Sequence, residues 1–233
     1  EQYRVYCLDS IAYGGKGEPS EQRVKTLEDY VSWFQQITTS LKVEQGALMG
    51  VSYGSWLSLA LAREIPQWVT AVVMLDPSES FAKMDGGIAW RGLWAFGLFP
   101  SRNKIRKFFD WIGGGYSDAD ADIWFEHMLD VIEFGSVGMF DIPQHKVYQA
   151  EDLNMVKMPV LVLAGGKPIL YKSPERFVAA AKRALPHAQV DLVPETGHSM
   201  NVEKAEEVNR RVLMFLKDSK LQEEPLGEGV YEV

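Results

Sequence analysis

The sequence has little of three features that would each indicate a particular class of protein. Its single cysteine, Cys7, cannot form an internal disulfide and lies in an apolar run, so we expect a buried, inert thiol and favour a reducing, cytoplasmic compartment. No stretch approaches about 18 uncharged apolar residues, and we therefore expect no membrane span. Basic side chains are outnumbered, 24 against 32 acidic ones, and the net charge of −8 argues against a nucleic acid partner.

The sequence also lacks the residue clusters that hold metals and common cofactors. It has no pair of histidines at ligand spacing, no cysteine cluster and no glycine-rich phosphate loop of the Walker type. We therefore predict neither a metal nor a cofactor. With 46% hydrophobic and 24% charged residues over 233 positions, the composition is that of a globular chain of one domain. No feature indicates an oligomeric state.

Short apolar runs alternate with amphipathic patterns along most of the chain. Such runs, bounded by turn residues, predict buried strands, and apolar residues three and four apart predict helices. Strands that alternate with helices predict an α/β fold, a mostly parallel sheet with helices on both faces. The predicted strands lie at 3–8, 47–49, 71–75, 158–164 and 188–193, and the predicted helices at 27–41, 54–63, 174–185 and 202–216.

One long block interrupts this alternation. Residues 81–157 are helical by pattern and rich in aromatic side chains, and an insertion of this size between two strands should sit on the sheet edge as a helical cap. We therefore expect a core at 1–80 and 158–217, a cap at 81–157 and a polar tail at 218–233. The aromatic composition of the cap suggests that it covers an apolar group of a small-molecule substrate.

A serine stands where the second predicted strand turns into a helix. The segment 50–54, GVSYG, has the pattern G-x-S-x-G, and a sharp turn there would raise the Ser52 hydroxyl above the sheet edge. Glycines are expected on both sides because the backbones approach too closely for a Cβ atom. The start of the helix adds positive potential where an oxyanion would form. The alternative is a plain glycine-rich turn in which Ser52 caps the helix.

A serine needs a base to act as a nucleophile, and four histidines are available. His198 follows the predicted strand 188–193, in a loop at the carboxyl edge of the sheet where Ser52 is also expected. The alternative is a surface histidine without a function. The remaining three are expected to be structural, two within the cap and one in a turn: His127, His145 and His187.

Together these segments resemble the α/β-hydrolase superfamily. The likeness rests on the strand–GVSYG–helix unit, the later ETGH loop and the order serine then histidine, and the segment 9–17 is similar to the family's D-x-x-G-x-G loop. It is closest to bacterial esterase-like members with an aromatic helical cap. The resemblance implies Ser52 as nucleophile and His198 as general base, then general acid. It also implies the backbone N–H of Tyr53 as an oxyanion-hole donor.

The sequence offers more than one candidate for the third member of a catalytic triad. Most of the family has an Asp or Glu after the strand that corresponds to 158–164, but residues 165–172 contain no carboxylate. Some members place the acid one strand earlier, where Asp76 ends the predicted strand 71–75, and there it would orient His198. The alternatives are that Asp76 only turns the chain out of the strand, or that Glu79 is the acid.

The resemblance also implies residues before the first one of this sequence. The family normally has three more strands before the one at 3–8, and one of them separates it from the strand at 47–49. Without that strand, two sheet edges would face a gap with unpaired backbone groups, so we expect on the order of 50 additional residues upstream. These residues would also supply the second oxyanion donor.

The sequence therefore predicts a serine hydrolase that cleaves a carboxylic ester through an acyl-enzyme on Ser52, with a small, partly apolar substrate. Two alternatives remain open. The same fold could cleave C–C bonds, lactones or thioesters, or it could bind a small molecule or partner without turning it over.

Overall fold

The computed structural model of the protein describes residues 3–8, 24–97, 99, 101–114, 122–123, 125–126, 129 and 143–219. The strands are β1 Gly46–Val51, β2 Val69–Leu75, β3 Val160–Gly165 and β4 Gln189–Val193. The helices are α1 Leu27–Ser40, α2 Tyr53–Glu64, α3 Gly86–Gly92, α4 Arg102–Ile112, α5 Pro174–Ala184, α6 Met200–Glu203 and α7 Ala205–Asp218. A π-helical turn follows α3 at Leu93–Gly97, and a 3₁₀ turn precedes β3 at Ala150–Leu153.

The four strands form one parallel sheet in the order β1-β2-β3-β4. Val51 pairs with Leu75 at the end of β1 and β2, and Leu75 pairs with Leu163 in β3. Because the strands are parallel, their carboxyl ends lie at the same edge, where open α/β sheets bind ligands. The predicted α/β fold is confirmed.

Helices cover both faces of this sheet. On one face, Phe34, Trp56 and Phe177 bring α1, α2 and α5 into a continuous apolar cluster. On the other face, Val208 and Phe215 of α7 pack against side chains of β2, β3 and β4. This double covering explains why β2 and β3 are apolar along nearly their whole length, since neither face meets water.

Local capping fixes where two of the helices begin. The Asp29 backbone N–H donates to Thr26 Oγ1 (3.2 Å), and the Thr26 N–H donates to Asp29 Oδ2 (3.0 Å), which is a capping box at the start of α1. At α5, Ser173 caps the helix and Pro174 occupies the first helical position, where its missing N–H costs nothing. The helices predicted at 27–41 and 174–185 are confirmed.

The first predicted strand is wrong for the described residues. Residues 4–8 join no strand ladder, and the side chains of Val5 and Cys7 are exposed, Val5 by 79%. An apolar run becomes a buried strand only beside a partner that supplies its hydrogen bonds and covers its faces. No described strand lies beside this segment, because β1 pairs only with β2 among the described residues. The expectation of a buried thiol at Cys7 is therefore wrong as well.

The last predicted helix, 202–216, is in fact two helices. The chain leaves helical geometry at Lys204, whose φ is −139° and ψ 51°, and α7 starts at the next residue. The short helix α6 therefore ends at Glu203, whose side chain bonds back to the preceding loop. None of the described helices is both long and apolar enough to span a bilayer.

The described parts of the expected cap are helical and aromatic. Phe96, Phe108 and Phe109 pack edge to face with one another, and Phe109 also contacts Phe125. The return of the chain to the core is fixed by two hydrogen bonds from α2, one from the Tyr53 hydroxyl to the carbonyl of residue 143 (2.7 Å) and one from Trp56 Nε1 to that of residue 146 (3.0 Å). The domain boundaries at 80/81 and 157/158 stay a prediction. The segment 9–17, most of the tail and His127 lie outside the described residues.

Candidate active site

Ser52 joins β1 to α2 through a backbone conformation that few residues with a side chain adopt. Its φ is 54° and its ψ −118°, and such a conformation costs about 1–3 kcal/mol. The Ser52 N–H continues the sheet by donating to the Leu75 carbonyl (3.0 Å), and α2 begins at the next residue. The predicted sharp turn at this serine is therefore present.

The two glycines around this turn differ in what they accommodate. A Cβ atom at Gly50 would lie 2.1 Å from the carbonyl carbon of Gly54, so position 50 requires glycine. A Cβ atom at Gly54 would meet no described atom within 4 Å. The expectation that both glycines are needed for close approach is therefore correct for Gly50 and wrong for Gly54 within the described residues.

The Ser52 side chain does not cap the helix that it precedes. Ser52 occupies the N-cap position of α2, but its hydroxyl accepts no hydrogen bond from the first turn. The alternative in which Ser52 serves only as a helix cap is therefore wrong. Ser52 is partly exposed, and no capping hydrogen bond holds its hydroxyl against the helix.

Asp76 lies at the equivalent place on the neighbouring strand. It follows Leu75, the partner of Val51, and its φ of 39° turns the chain out of β2. Its side chain is only 5% exposed, and both carboxylate oxygens have a partner. Oδ1 accepts the Gly165 N–H (2.9 Å), and Oδ2 lies 2.7 Å from His198 Nδ1.

His198 reaches this carboxylate from the loop after β4. Its ring is 13% exposed, and its own backbone N–H donates to the Ile112 carbonyl (2.9 Å) at the end of α4. Because an ionised Asp76 only accepts hydrogen bonds, the proton of a neutral His198 sits on Nδ1 and Nε2 is left to take another. No hydrogen bond joins Ser52 to His198 among the described residues. Such bonds are often long before substrate binds and tighten in the complex.

Glu79, the other candidate acid, makes no hydrogen bond to His198 among the described residues. Its backbone N–H donates to the Tyr171 hydroxyl (3.0 Å), which in turn donates to the Pro77 carbonyl (2.7 Å). Burial, with the Asp76 charge as a smaller cause, raises the pKa of Tyr171, so the phenol stays a donor. Tyr171 therefore anchors the segment after β2 that carries Asp76, and His198 contacts Asp76 rather than Glu79.

A comparison with known protein families decides the identity of this fold. The model of the alpha/beta hydrolase family matches residues 1–211. The chain belongs to the alpha/beta hydrolase family.

Individual relatives within this family are distant. Carboxylesterase YbfK of Bacillus subtilis is 26% identical over 218 residues, which cover 92% of this chain and 72% of that protein. Its crystal structure superposes with a TM-score of 0.80 over 93% of this chain and 75% of that one, at 24% identity. Naproxen esterase from the same species superposes with a TM-score of 0.73 at 22% identity, over 87% and 70% of the two chains. The 2-hydroxymuconate semialdehyde hydrolase of Pseudomonas putida is 21% identical over 225 residues, 93% of this chain and 78% of that protein.

Tyr53, the expected oxyanion donor in this alpha/beta hydrolase, is the first residue of α2. N–H groups in the first turn of a helix are directed toward its N-terminus, where the helix dipole favours negative charge. The Tyr53 backbone N–H thus belongs to the first turn of α2, directly after Ser52. A second donor remains a prediction.

His145 is a residue that sequence reasoning treated as structural, although it lies close to the serine turn. Its Nε2 is 2.7 Å from the Ser78 hydroxyl, and its ring packs edge-on against Tyr53 and Trp56. Ser78 is itself adjacent to the turn, because its N–H lies 3.4 Å from the Ser52 carbonyl. Burial lowers the pKa of His145, so the neutral ring is favoured, with the Glu79 charge as a smaller opposing cause. No sequence signal connects positions 67 residues apart.

Two further features lie away from these residues. A groove of about 710 Å³ opens beside α5, between the segments 81–86 and 148–151, and its lining does not include Ser52, Asp76 or His198. The described residues contain no group of three His, Cys, Asp or Glu side chains that could hold a metal ion. His187 is exposed at a turn, with Nε2 3.3 Å from the Met158 carbonyl.

Proposed function

We propose that this alpha/beta hydrolase is a serine hydrolase of the carboxylesterase type. The observation that carries the proposal is the 2.7 Å contact between buried Asp76 and His198, at the sheet edge where the strained turn presents Ser52. A carboxylate that orients an imidazole at the sheet edge that also carries the serine is the arrangement expected of a serine nucleophile and its base. The likeness to Bacillus subtilis carboxylesterases supports an ester as the substrate.

The first half of the reaction follows from the roles of these three side chains. Ser52 Oγ attacks the ester carbonyl while His198 Nε2 takes its proton. Asp76 keeps Nδ1 protonated and stabilises the imidazolium that forms. The negative charge that develops on the carbonyl oxygen is stabilised by the Tyr53 N–H at the start of α2. The tetrahedral intermediate then breaks its C–O bond, and His198 returns the proton to the leaving alcohol.

The second half repeats these steps with water in place of the alcohol. Water, activated by His198 Nε2, attacks the acyl-enzyme at Ser52, and the intermediate releases the carboxylic acid as the serine regains its proton. We propose a small substrate with an apolar acyl or alcohol group, because the segment 81–157 that we assign to a cap is strongly aromatic. Apart from the substrate and water, this scheme uses only groups of the chain.

A second candidate keeps the same site and changes the bond that is cleaved. The similarity to 2-hydroxymuconate semialdehyde hydrolase favours a C–C bond next to a carbonyl as that alternative. The two are distinguished by comparing simple esters with vinylogous diketones as substrates. Dominant turnover of the diketones would favour the alternative.

The proposal is tested by hydrolysis of p-nitrophenyl acetate and butyrate. Ser52→Ala should lower kcat by roughly 10⁵–10⁶-fold, the usual loss for a missing nucleophile. The matched control is Ser40→Ala, an exposed serine whose hydroxyl bonds only to its own helix at the Gln36 carbonyl. It should leave kcat within about twofold of the parent protein, since surface changes have small effects. A folded protein that hydrolyses neither esters nor diketones would indicate a binding protein instead.

A further inference from the structure

A second carboxylate, outside the proposed triad, holds the loop that carries His198. Glu203 is the last residue of α6, and both of its oxygens lie within hydrogen-bond distance of the Gly197 N–H, Oε1 at 3.0 Å and Oε2 at 2.7 Å. Gly197 is the residue immediately before His198. The carboxylate of Glu203 therefore holds the peptide that joins Thr196 to Gly197, one residue before the histidine.

The surroundings of Glu203 disfavour its ionised form. Burial raises its pKa, and the Gly197 N–H, the charge of Lys167 and the backbone of Ser199 offset this only in part. Asp76, at the end of β2, acts in the same direction as burial. Within the described part of the chain, no basic side chain comes within 4.0 Å of its oxygens. A half-buried carboxylate without an ion pair is costly to stability, so its hydrogen bond to the loop needs a reason other than stability.

The loop is enclosed on its other side by the end of α4. The His198 N–H donates to the Ile112 carbonyl (2.9 Å), and a Cβ atom at Gly197 would lie 2.6 Å from the Gly114 nitrogen. Lys167 closes the same corner by donating to the Gly114 carbonyl (2.7 Å). The two successive peptide N–H groups that precede the His198 Cα atom are thus both held, that of Gly197 by Glu203 and that of His198 by the backbone at the end of α4.

We propose that Glu203 is a positioning residue, which keeps His198 Nδ1 in register with Asp76 through the Gly197 N–H. The inference rests on the proposed function, because His198 is the base in that scheme. Among the described residues no hydrogen bond joins Glu203 to Ser52, Asp76 or His198, so its effect on turnover passes through the loop. Reach, rather than charge, is what this role requires.

The experiment compares three substitutions that separate reach from charge. Glu203→Gln keeps the length and one acceptor oxygen but removes the charge. Glu203→Asp keeps the charge but withdraws the oxygens by about 1.5 Å, one carbon–carbon bond. Glu203→Ala removes both. Glu206→Ala, an exposed glutamate in the first turn of α7, is the matched control.

We expect Ala and Asp at position 203 to lower kcat on p-nitrophenyl butyrate by about 10–100-fold, as for a misplaced catalytic group, with KM within about twofold. Glu203→Gln should recover kcat to within about threefold of the parent, and Glu206→Ala should not change it. Equal activity of all three variants, or an active Asp variant with an inactive Gln variant, would overturn the proposal. If Glu203→Ala does not fold, the Gln and Asp variants alone decide.

An NMR measurement, which does not depend on turnover, keeps this test separate from the proposed function. The Nδ1 proton of His198, identified by its loss in His198→Gln, should give a downfield NMR signal because it bonds to Asp76. We expect that signal to persist in Glu203→Gln and to shift or broaden in Glu203→Asp. An unchanged signal in both variants would overturn the positioning role, whereas absent ester hydrolysis in the parent protein would overturn only the proposed function.

Discussion

The Asp76→Asn substitution tests the proposed triad most informatively, because the structure indicates how an amide would fit. The parent carboxylate accepts two hydrogen bonds, from Gly165 N–H and from His198 Nδ1–H. An asparagine has one acceptor oxygen. If that oxygen keeps the Gly165 N–H, the amide NH₂ faces His198 and can only donate. The imidazole proton then moves to Nε2, which can no longer accept the proton of Ser52.

The size of the loss follows from this change of tautomer. Asp76 is 4% exposed, so solvent cannot supply the missing acceptor. A triad in which the wrong histidine nitrogen carries the proton loses roughly 10³–10⁴ in kcat, which corresponds to about 4–5.5 kcal/mol of barrier height. The fold should survive, since the substitution hardly changes the side-chain volume and keeps both hydrogen bonds, the one to His198 with its direction reversed.

The assay is kcat and KM for p-nitrophenyl butyrate, with circular dichroism to verify folding. Glu79→Gln is the matched control, since the described hydrogen bond of Glu79 near this site is made by its backbone N–H, and its charge acts only as a smaller cause on the nearby His145. It should retain kcat within about threefold. A folded Asp76→Asn variant with near-parental kcat, or an equal loss in Glu79→Gln, would refute the assignment of Asp76.

Two further predictions concern stability. Gly50→Ala should lower the melting temperature by several degrees or prevent folding, because the new Cβ atom would lie 2.1 Å from backbone. The control is Gly86→Ala, whose Cβ atom would meet no described atom within 4 Å, and equal melting temperatures of the two variants would contradict the prediction. Burial lowers the pKa of His145 in the folded state below its ordinary value of 6.5. The contribution of His145 to the free energy of unfolding is therefore present above pH 6.5 and is lost as the pH falls through the pKa of the folded state. His145→Gln should therefore reduce the loss of unfolding free energy on acidification below pH 6.5, measured by urea unfolding, and an unchanged pH dependence would contradict this.

The sheet was predictable because its two central strands, β2 and β3, are buried on both faces. An apolar run such as β3 has few alternatives in a globular chain, and the capping residues near α1 and α5 fix the helix starts locally. The segment 3–8 has the same pattern but is exposed. An apolar pattern indicates only that a segment favours burial. Whether the segment joins a sheet depends on a neighbouring strand, which no local signal specifies.

The candidate site was predictable to the extent that local motifs define it. Ser52 could be identified because the turn that presents it is encoded within five residues. Asp76 could be suggested from its place at a strand end, but only the direction of its side chain distinguishes it from Glu79. The contacts of Glu203 and His145 could not be predicted, because they join elements whose packing is set by the whole fold.

Labelling of the protein with a fluorophosphonate tests the central claim most directly, since only an activated serine reacts readily. Intact-protein mass spectrometry should show a single adduct on the parent protein, none on Ser52→Ala, and an undiminished adduct on Ser40→Ala. An adduct that persists in Ser52→Ala, or a folded parent protein that takes up no label, would contradict the account.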